Sequence, residues 1–329
     1  MKFLFSAGKG LEAQSVRLGW QNALRSLGYT CVVWNEDEKN IFDMFDEFQP
    51  NFFVIFGEDL DRAHLKAIAE SHKKAECPCI PIIFATHRDN VDEKEKYLLE
   101  KFVEKKLLTH LFSVDFQNHA KLWEECLGVP TLSCLPALDL IRYKQSVIDN
   151  MYASDITFIG QYENKKIPFA CEFLFPLSNQ GLKVKIFGYG DWPIANYLGS
   201  ISNYDIFSKI VFNSRINLSF SYPESKTFSE RIFKIIGCHG FPLAHVLNEN
   251  HLNLLKELEI PYFRDGKELV SKLILFLHHD QYSREQIKNL VYKKAIEKHT
   301  YLHRIEQVLS LFDINIKDAV HEKIRDSSK

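Results

Sequence analysis

The sequence predicts two doubly wound α/β domains, and three observations carry the prediction. Short β-rich runs alternate with longer stretches of helical periodicity through the first half of the chain. The alternation pauses over 138–154 and then restarts at similar length. Turns containing glycine or charged residues recur where the strand-like runs end.

In the first half the strand-like runs are KFLFSA (2–7), TCVVWNE (30–36), FFVIFG (52–57), CIPIIFAT (79–86), LTHLFSV (108–114) and PTLSCLPA (130–137). Between the first two, AQSVRLGWQNALRSLG (13–28) spaces its apolar residues as a helix and ends on glycine, a natural C-terminal stop. The same spacing recurs over 40–48, 60–74, 92–106 and 118–128. Strands alternating with helices at these lengths imply right-handed βαβ units on a parallel sheet.

After the mixed stretch 138–154, taken as an interdomain connection, come strands at 155–162, 183–190, 216–221, 241–245 and 260–263. Helices are expected near 167–179, 203–213, 229–237, 266–279 and 283–311. The predicted domains are therefore 1–147 and 148–312, followed by a polar tail, 313–329, of which DAVHEKIRDSSK (318–329) is expected to fray. Two such sheets facing across a cleft would take ligands outside the carboxyl ends of their strands.

Composition narrows the function classes. The chain has 329 residues, enough for two cores, with 46% hydrophobic and 26% charged residues, as in soluble globular proteins. A formal net charge of −2 gives no reason to expect nucleic acid as a partner. The start, MKFLFSAGKG, reads as a first strand rather than a secretory signal, and no run reaches the ~18 apolar residues of a membrane span. A cytoplasmic location is expected, with peripheral membrane contact left open.

Seven scattered cysteines argue for reduced thiols. Cys77 and Cys79 form C-x-C without a second pair, and no H-E-x-x-H occurs, so no metal site is expected.

Gly8 and Gly10 follow the first strand, where backbone can approach a substrate, but the third glycine of a dinucleotide fingerprint is missing. Glu58, Asp59, His87 and Asp89 stand where strands of the first half should end. A general base would be a carboxylate or imidazole in such a place, while Asp59 and Asp89 equally suit helix N-caps. In the second half Gly160, Gly188 and Gly190 permit close backbone approach. Lys165 or Lys166 is within loop reach of a phosphate, and Tyr189 or Trp192 offers a face to a base.

The segment SERIFKIIGCHGFPLAH (229–245) reads as a helix start, a glycine stop and a strand. Helical spacing puts Glu230, Lys234 and Gly237 on one stripe and Ile232, Ile235 and Ile236 toward the core, with Ser229 as N-cap. Arg231 is placed to clamp a phosphate.

These residues resemble a known group. Ile216-Asn217-Leu218, then Arg231 and Phe233, the Gly240-Phe241 turn, and His299-Thr300-Tyr301 with Arg304 are similar to the pattern of the CgeB (spore-maturation-protein-like) glycosyltransferases. The resemblance covers most of 155–312. Over 1–150 it rests on the βαβ pattern and DEFQPNFFVIFG (46–57).

The resemblance implies a GT-B fold of two Rossmann-like domains, a nucleotide-sugar co-substrate on the C-terminal domain, an acceptor facing the N-terminal one, and no divalent ion or separate cofactor. It assigns the donor phosphates to Arg231, with Glu230, Lys165, Lys234 and the glycine turns nearby. His87, Asp89 or Glu58 would then supply any catalytic base. The acceptor, whether glycan, lipid-linked or protein, stays open, as does inversion or retention.

One departure stands out: the family's Arg-x-Phe-Glu has glutamate where this chain has Lys234. A non-catalytic GT-B scaffold and a nucleotide-sugar epimerase are the alternatives.

Overall fold

The computed structural model describes residues 1–7, 11–74, 78–86, 93–162, 167–179, 181–201, 203–220, 228–278 and 281–327. Two compact units divide the chain: Met1–Pro136 with Tyr301–Lys329, and Ala137–Thr300.

The first unit is built on six strands: β1 (Lys2–Phe5), β2 (Thr30–Val33), β3 (Phe52–Phe56), β4 (Ile80–Ala85), β5 (Leu111–Ser113) and β6 (Thr131–Ser133). They lie in the order β2-β1-β3-β4-β5-β6, and every pairing is parallel. Helices α1 (Leu11–Ser26), α2 (Ile41–Phe48), α3 (Arg62–Lys74), α4 (Glu93–Glu104) and α5 (Gln117–Leu127) make the crossovers. Sheets covered on both faces need continuous apolar strands, and β3, FFVIF, is buried at every position. Local chemistry sets the helix ends. Asn40 accepts from the Phe42 N–H at the start of α2, and Gly128 ends α5 in the left-handed region at φ 66°.

The second unit holds β7 (Ser154–Ile159), β8 (Val184–Phe187), β9 (Ser214–Ser219), β10 (Pro242–His245) and β11 (Tyr262–Phe263), again all parallel, in the order β11-β10-β9-β7-β8. Its connections begin with α6 (Ile167–Phe169), which continues through a π-helical turn (Ala170–Leu174) into a 3-10 turn (Phe175–Asn179). They go on with α7 (Tyr204–Phe212), α8 (Arg231–Gly237), α9 (Glu249–Glu257), α10 (Gly266–His278) and α11 (Gln281–Lys298). The strand order reverses between β1 and β3 in one sheet and between β7 and β9 in the other. Both units are Rossmann-like.

The chain crosses between units at other points than the sequence suggested. Residues 138–154 are not a free connection, because Tyr143 is buried with Val211, Ile235 and Cys238 in a small apolar cluster of the second unit. The long helix expected over 283–311 is broken at His299-Thr300, where Leu138 donates its N–H to the His299 carbonyl (2.7 Å) and pairs with Thr300 as an isolated bridge. Beyond the break, α12 (Tyr301–Ser310) and α13 (Lys317–Ser327) return to the first unit. There Arg304 Nε donates to the Leu135 carbonyl (2.9 Å), and Phe312 packs on Phe52. The polar end of the chain is thus largely helical, with Val320 fully buried, rather than frayed.

Two predictions follow from this packing. Alanine normally improves a helix over glycine by ~1 kcal/mol, yet a Cβ on Gly19 of α1 would fall on the Tyr301 ring. Gly19→Ala should therefore lower unfolding free energy by about 1–3 kcal/mol, the usual cost of overpacking; a denaturant midpoint at or above wild type would contradict the contact.

His251 on α9 is fully buried, and burial, reinforced by the charge of His245, pushes its pKa down from 6.5 to about 4. The unfolded chain then binds a proton that the folded one refuses, so stability should fall as pH drops from 6.5 toward 4. His251→Phe should flatten that part of the pH–stability curve.

Candidate functional site

In a doubly wound sheet the crevice for a ligand opens where strand order reverses, at the carboxyl ends of the strands. In the second unit that place lies between Gly160, after β7, and Phe220, after β9. Arg231, the first residue of α8, spans it. Its Nη1 donates to the Phe220 carbonyl (3.2 Å), its guanidinium carbon lies 5.1 Å from the Phe158 ring centroid, and its Nη2 comes within 3.1 Å of where a Cβ on Gly160 would stand.

The turn after β8 runs alongside. Gly160 donates to the Phe187 carbonyl (2.8 Å), and Tyr162 donates to the Tyr189 carbonyl (2.7 Å). Gly188 has φ 140°, and a Cβ there would overlap the Gly160 carbonyl oxygen, so only glycine lets the two turns approach. Gly190, at φ 80°, closes against Tyr162 in the same way. Trp192 is buried beneath them, donating Nε1–H to the Gly160 carbonyl (2.9 Å) and packing on Phe158 and Tyr162. It is a packing residue, not a stacking platform. Tyr189, 47% exposed, is the aromatic ring with a face to offer.

Glu230 and Lys234 form an ion pair across one turn, both about four-fifths buried, with Lys234 Nζ 5.9 Å from the Tyr143 ring centroid. Burial alone would lower the Lys234 pKa, but Glu230 and then Tyr143 outweigh it and hold the ammonium above its ordinary value. The stripe read from the helical spacing is therefore present, and its two charges are aimed at each other. Ser229 does not cap α8 through its side chain. Glu230 occupies the N-cap position without a side-chain bond, and the Ser229 carbonyl accepts from the Ile232 N–H (3.2 Å).

In the first unit the corresponding reversal is at β1 and β3. Glu58 is exposed in the one-turn helix Gly57–Asp59 that follows β3. Asp59 does not cap α3; Asp61 does, accepting from the Ala63 N–H (2.8 Å), and that bond helps hold its carboxyl below the usual range. Gly8, Gly10, His87, Asp89 and Lys165 lie outside the described residues, as does Cys77.

Glu95 was not singled out in the sequence. It is buried on α4, accepts from the Thr86 N–H (3.0 Å) and from the Thr86 hydroxyl, and so fixes the carboxyl end of β4. A signal for it existed: Glu95 falls on the apolar stripe with Leu98, Leu99 and Phe102, where a carboxylate needs a buried partner. Among the described residues no group of three or more His, Cys, Asp or Glu side chains is placed to hold a metal ion.

A family model described as glycosyl transferase-like matches residues 166–310. No curated protein matches the chain in sequence. Solved structures resemble it over nearly its whole length. Sucrose-phosphate synthase from Thermosynechococcus elongatus superposes with a TM-score of 0.62 at 9% identity, covering 95% of this chain and 98% of its own. The Anabaena protein HepE, in complex with UDP and glucose, gives 0.61 at 11% identity, covering 95% and 99%. A glycosyltransferase from Rickettsia africae gives 0.62 at 10%, covering 94% and 97%. The fold is GT-B.

The Glu230–Lys234 pair yields a direct test. Lys234→Glu restores the residue that the resembled family carries, but sets two carboxylates face to face in a largely buried site. It should cost on the order of 3 kcal/mol, and Glu230→Lys in the same chain should restore much of the loss. Unfolding free energies equal to wild type for the single variant would show that the pair carries no stability.

Proposed function

We propose that the protein is a glycosyltransferase that takes a nucleotide-sugar donor at the carboxyl edge of its second sheet. The observation that carries this is Arg231. The strand-order reversal in that sheet has a guanidinium laid across it, between the ends of β7 and β9, on the unit that the glycosyl transferase-like model matches. A cation there stabilises a diphosphate leaving group as its charge develops, and it acts from a position fixed by Phe220 and Phe158 before any donor arrives. The glycine turns at Gly160, Gly188 and Gly190 bring backbone close to the same point, and Tyr189 supplies a ring for the nucleobase. HepE, solved with UDP and glucose, supports the donor class.

The finer assignments rest on the sequence. Placement beside the CgeB-like enzymes follows from Ile216-Asn217-Leu218, Arg231, Phe233 and the His299-Thr300-Tyr301 segment. His87, Asp89 or Glu58 is the base if the reaction inverts, Lys165 assists the phosphates, Gly8 and Gly10 approach the acceptor, and no metal takes part. Transfer to a glycan, lipid-linked or protein acceptor would take place in the cytoplasm. The described cysteines are all free thiols, and among the described residues no helix is long and apolar enough to cross a membrane.

One observation favours a second reading, a GT-B scaffold without catalysis. Glu230, the acid one helical turn before the position where the resembled family holds its glutamate, is neutralised by Lys234. Calorimetry with UDP, GDP, ADP, CMP and dTDP, and their sugar-linked forms, separates the readings. One nucleotide should bind, and Arg231→Ala should weaken it by about 1.5–3 kcal/mol, the scale of a charged hydrogen bond. Transfer, or slow hydrolysis, of the matching donor would then identify the enzyme, and a rearranged sugar formed without acceptor would identify an epimerase. No nucleotide binding by the folded wild type would leave the scaffold reading.

A further inference from the structure

Val147, Ile148 and Met151 are among the most exposed large apolar side chains of the described residues, and they lie close together on one stretch of chain. Val147 is 69% exposed, Ile148 79% and Met151 71%. They belong to a short loop that enters β7, at the amino edge of the second sheet and so opposite the site above. The loop is held open rather than left slack. The Asn213 side chain grips it twice, donating Nδ2–H to the Val147 carbonyl (3.0 Å) and accepting from the Asp149 N–H (2.8 Å). Asp149 in turn accepts from the Met151 N–H (3.0 Å), and Lys185 Nζ donates to the Met151 carbonyl (2.8 Å). These bonds fix the backbone from which the exposed apolar side chains project. A protein that only had to face water would gain by replacing them.

The charge around the loop is on balance positive, with Lys144, Lys183, Lys185 and Arg215 set against Asp149 and Asp155. Among the described residues Lys144 and Lys185 are in no ion pair, Asp155 pairs with Arg215 (2.9 Å) and also feels the Lys183 charge, and the loop itself carries the Asp149 carboxylate. Burial and then the Lys183 charge lower the Lys185 pKa, as expected where like charges crowd. A second copy of this chain is a poor occupant, because a two-fold contact through this patch would set lysines against lysines. Apolar side chains on a fixed loop, with lysines beside them, suit an anionic lipid interface: hydrocarbon enters the acyl boundary and the ammonium groups rest among the head groups.

We propose that the loop carrying Val147, Ile148 and Met151, together with Lys144, Lys183 and Lys185, docks the protein on an anionic bilayer surface.

The test is co-sedimentation of the full chain with two kinds of vesicle, phosphatidylcholine containing about one-third phosphatidylglycerol and phosphatidylcholine alone, at low and high salt. Binding is expected to the anionic vesicles, weakened by salt and much reduced on phosphatidylcholine alone. Ile148→Asp should weaken it about tenfold or more by removing inserted hydrocarbon. The Lys144→Glu, Lys183→Glu pair should weaken it about 25-fold, roughly fivefold for each lysine. These side chains are exposed, so melting temperatures should stay at the wild-type value and loss of binding would not reflect unfolding. The proposal is overturned if folded wild type ignores anionic vesicles, or if Ile148→Asp binds them as wild type does. It is equally overturned if ultracentrifugation finds a vesicle-independent dimer that Ile148→Asp dissolves, which would make the patch a self-interface.

Discussion

Parallel strands buried on both faces leave the backbone only one place to meet a ligand, the carboxyl edge where the chain turns out of the sheet. Both units obey this constraint, and it fixes where everything polar can go. Side chains of β3 are buried throughout, and those in the middle of β7 are buried in apolar contacts or, as with Thr157, in closed hydroxyl networks, while the charged Asp155 stands near its amino end. Charge is confined to the edges. The carboxyl edge of the second sheet carries Arg231, Glu230 and Lys234, and its amino edge carries the lysines around Met151. One sheet thus presents two chemically different surfaces, separated by the length of its strands.

At the carboxyl edge the decisive contacts involve glycine. Gly160 leaves room for the Arg231 guanidinium, and Gly188 leaves room for the Gly160 carbonyl. Neither contact uses a side chain that chemistry would single out. Their effect is to let an arginine sit at the strand reversal with its position already set. The neighbouring Glu230–Lys234 pair works differently: each charge satisfies the other, which makes it an element of the helix rather than a reaching ligand.

The segment His299-Thr300-Tyr301 with Arg304 has a structural explanation that needs no ligand. His299 lies near the Glu257 carboxylate (3.3 Å) and over Phe233, and its carbonyl holds Leu138. Tyr301 fills the space that Gly19 leaves, and Arg304 holds the Leu135 carbonyl. The motif therefore marks the point where the chain leaves one unit for the other, with anchors on each side of the crossing. Asn217 likewise serves the fold, donating to the Val211 carbonyl from a buried position (3.0 Å).

The sequence by itself determined the number and order of strands, most helices, the glycine stops, and the stripe of α8, because these follow from local periodicity and backbone preference. It also placed Gly160, Gly188, Gly190 and Arg231 at one sheet edge, since strand ends can be located from such patterns alone. Tertiary structure decided the rest. That the last helices belong to the first unit depends on Tyr301 meeting Gly19 and Phe312 meeting Phe52, contacts between residues hundreds of positions apart that no local pattern encodes. That Trp192 packs while Tyr189 is exposed depends on which ring the Gly160 carbonyl captures. And Lys234 reads as a phosphate ligand until its distance to Glu230 and its burial beside Tyr143 are known, because a charge is assigned to solvent, ligand or partner only by what the fold places around it.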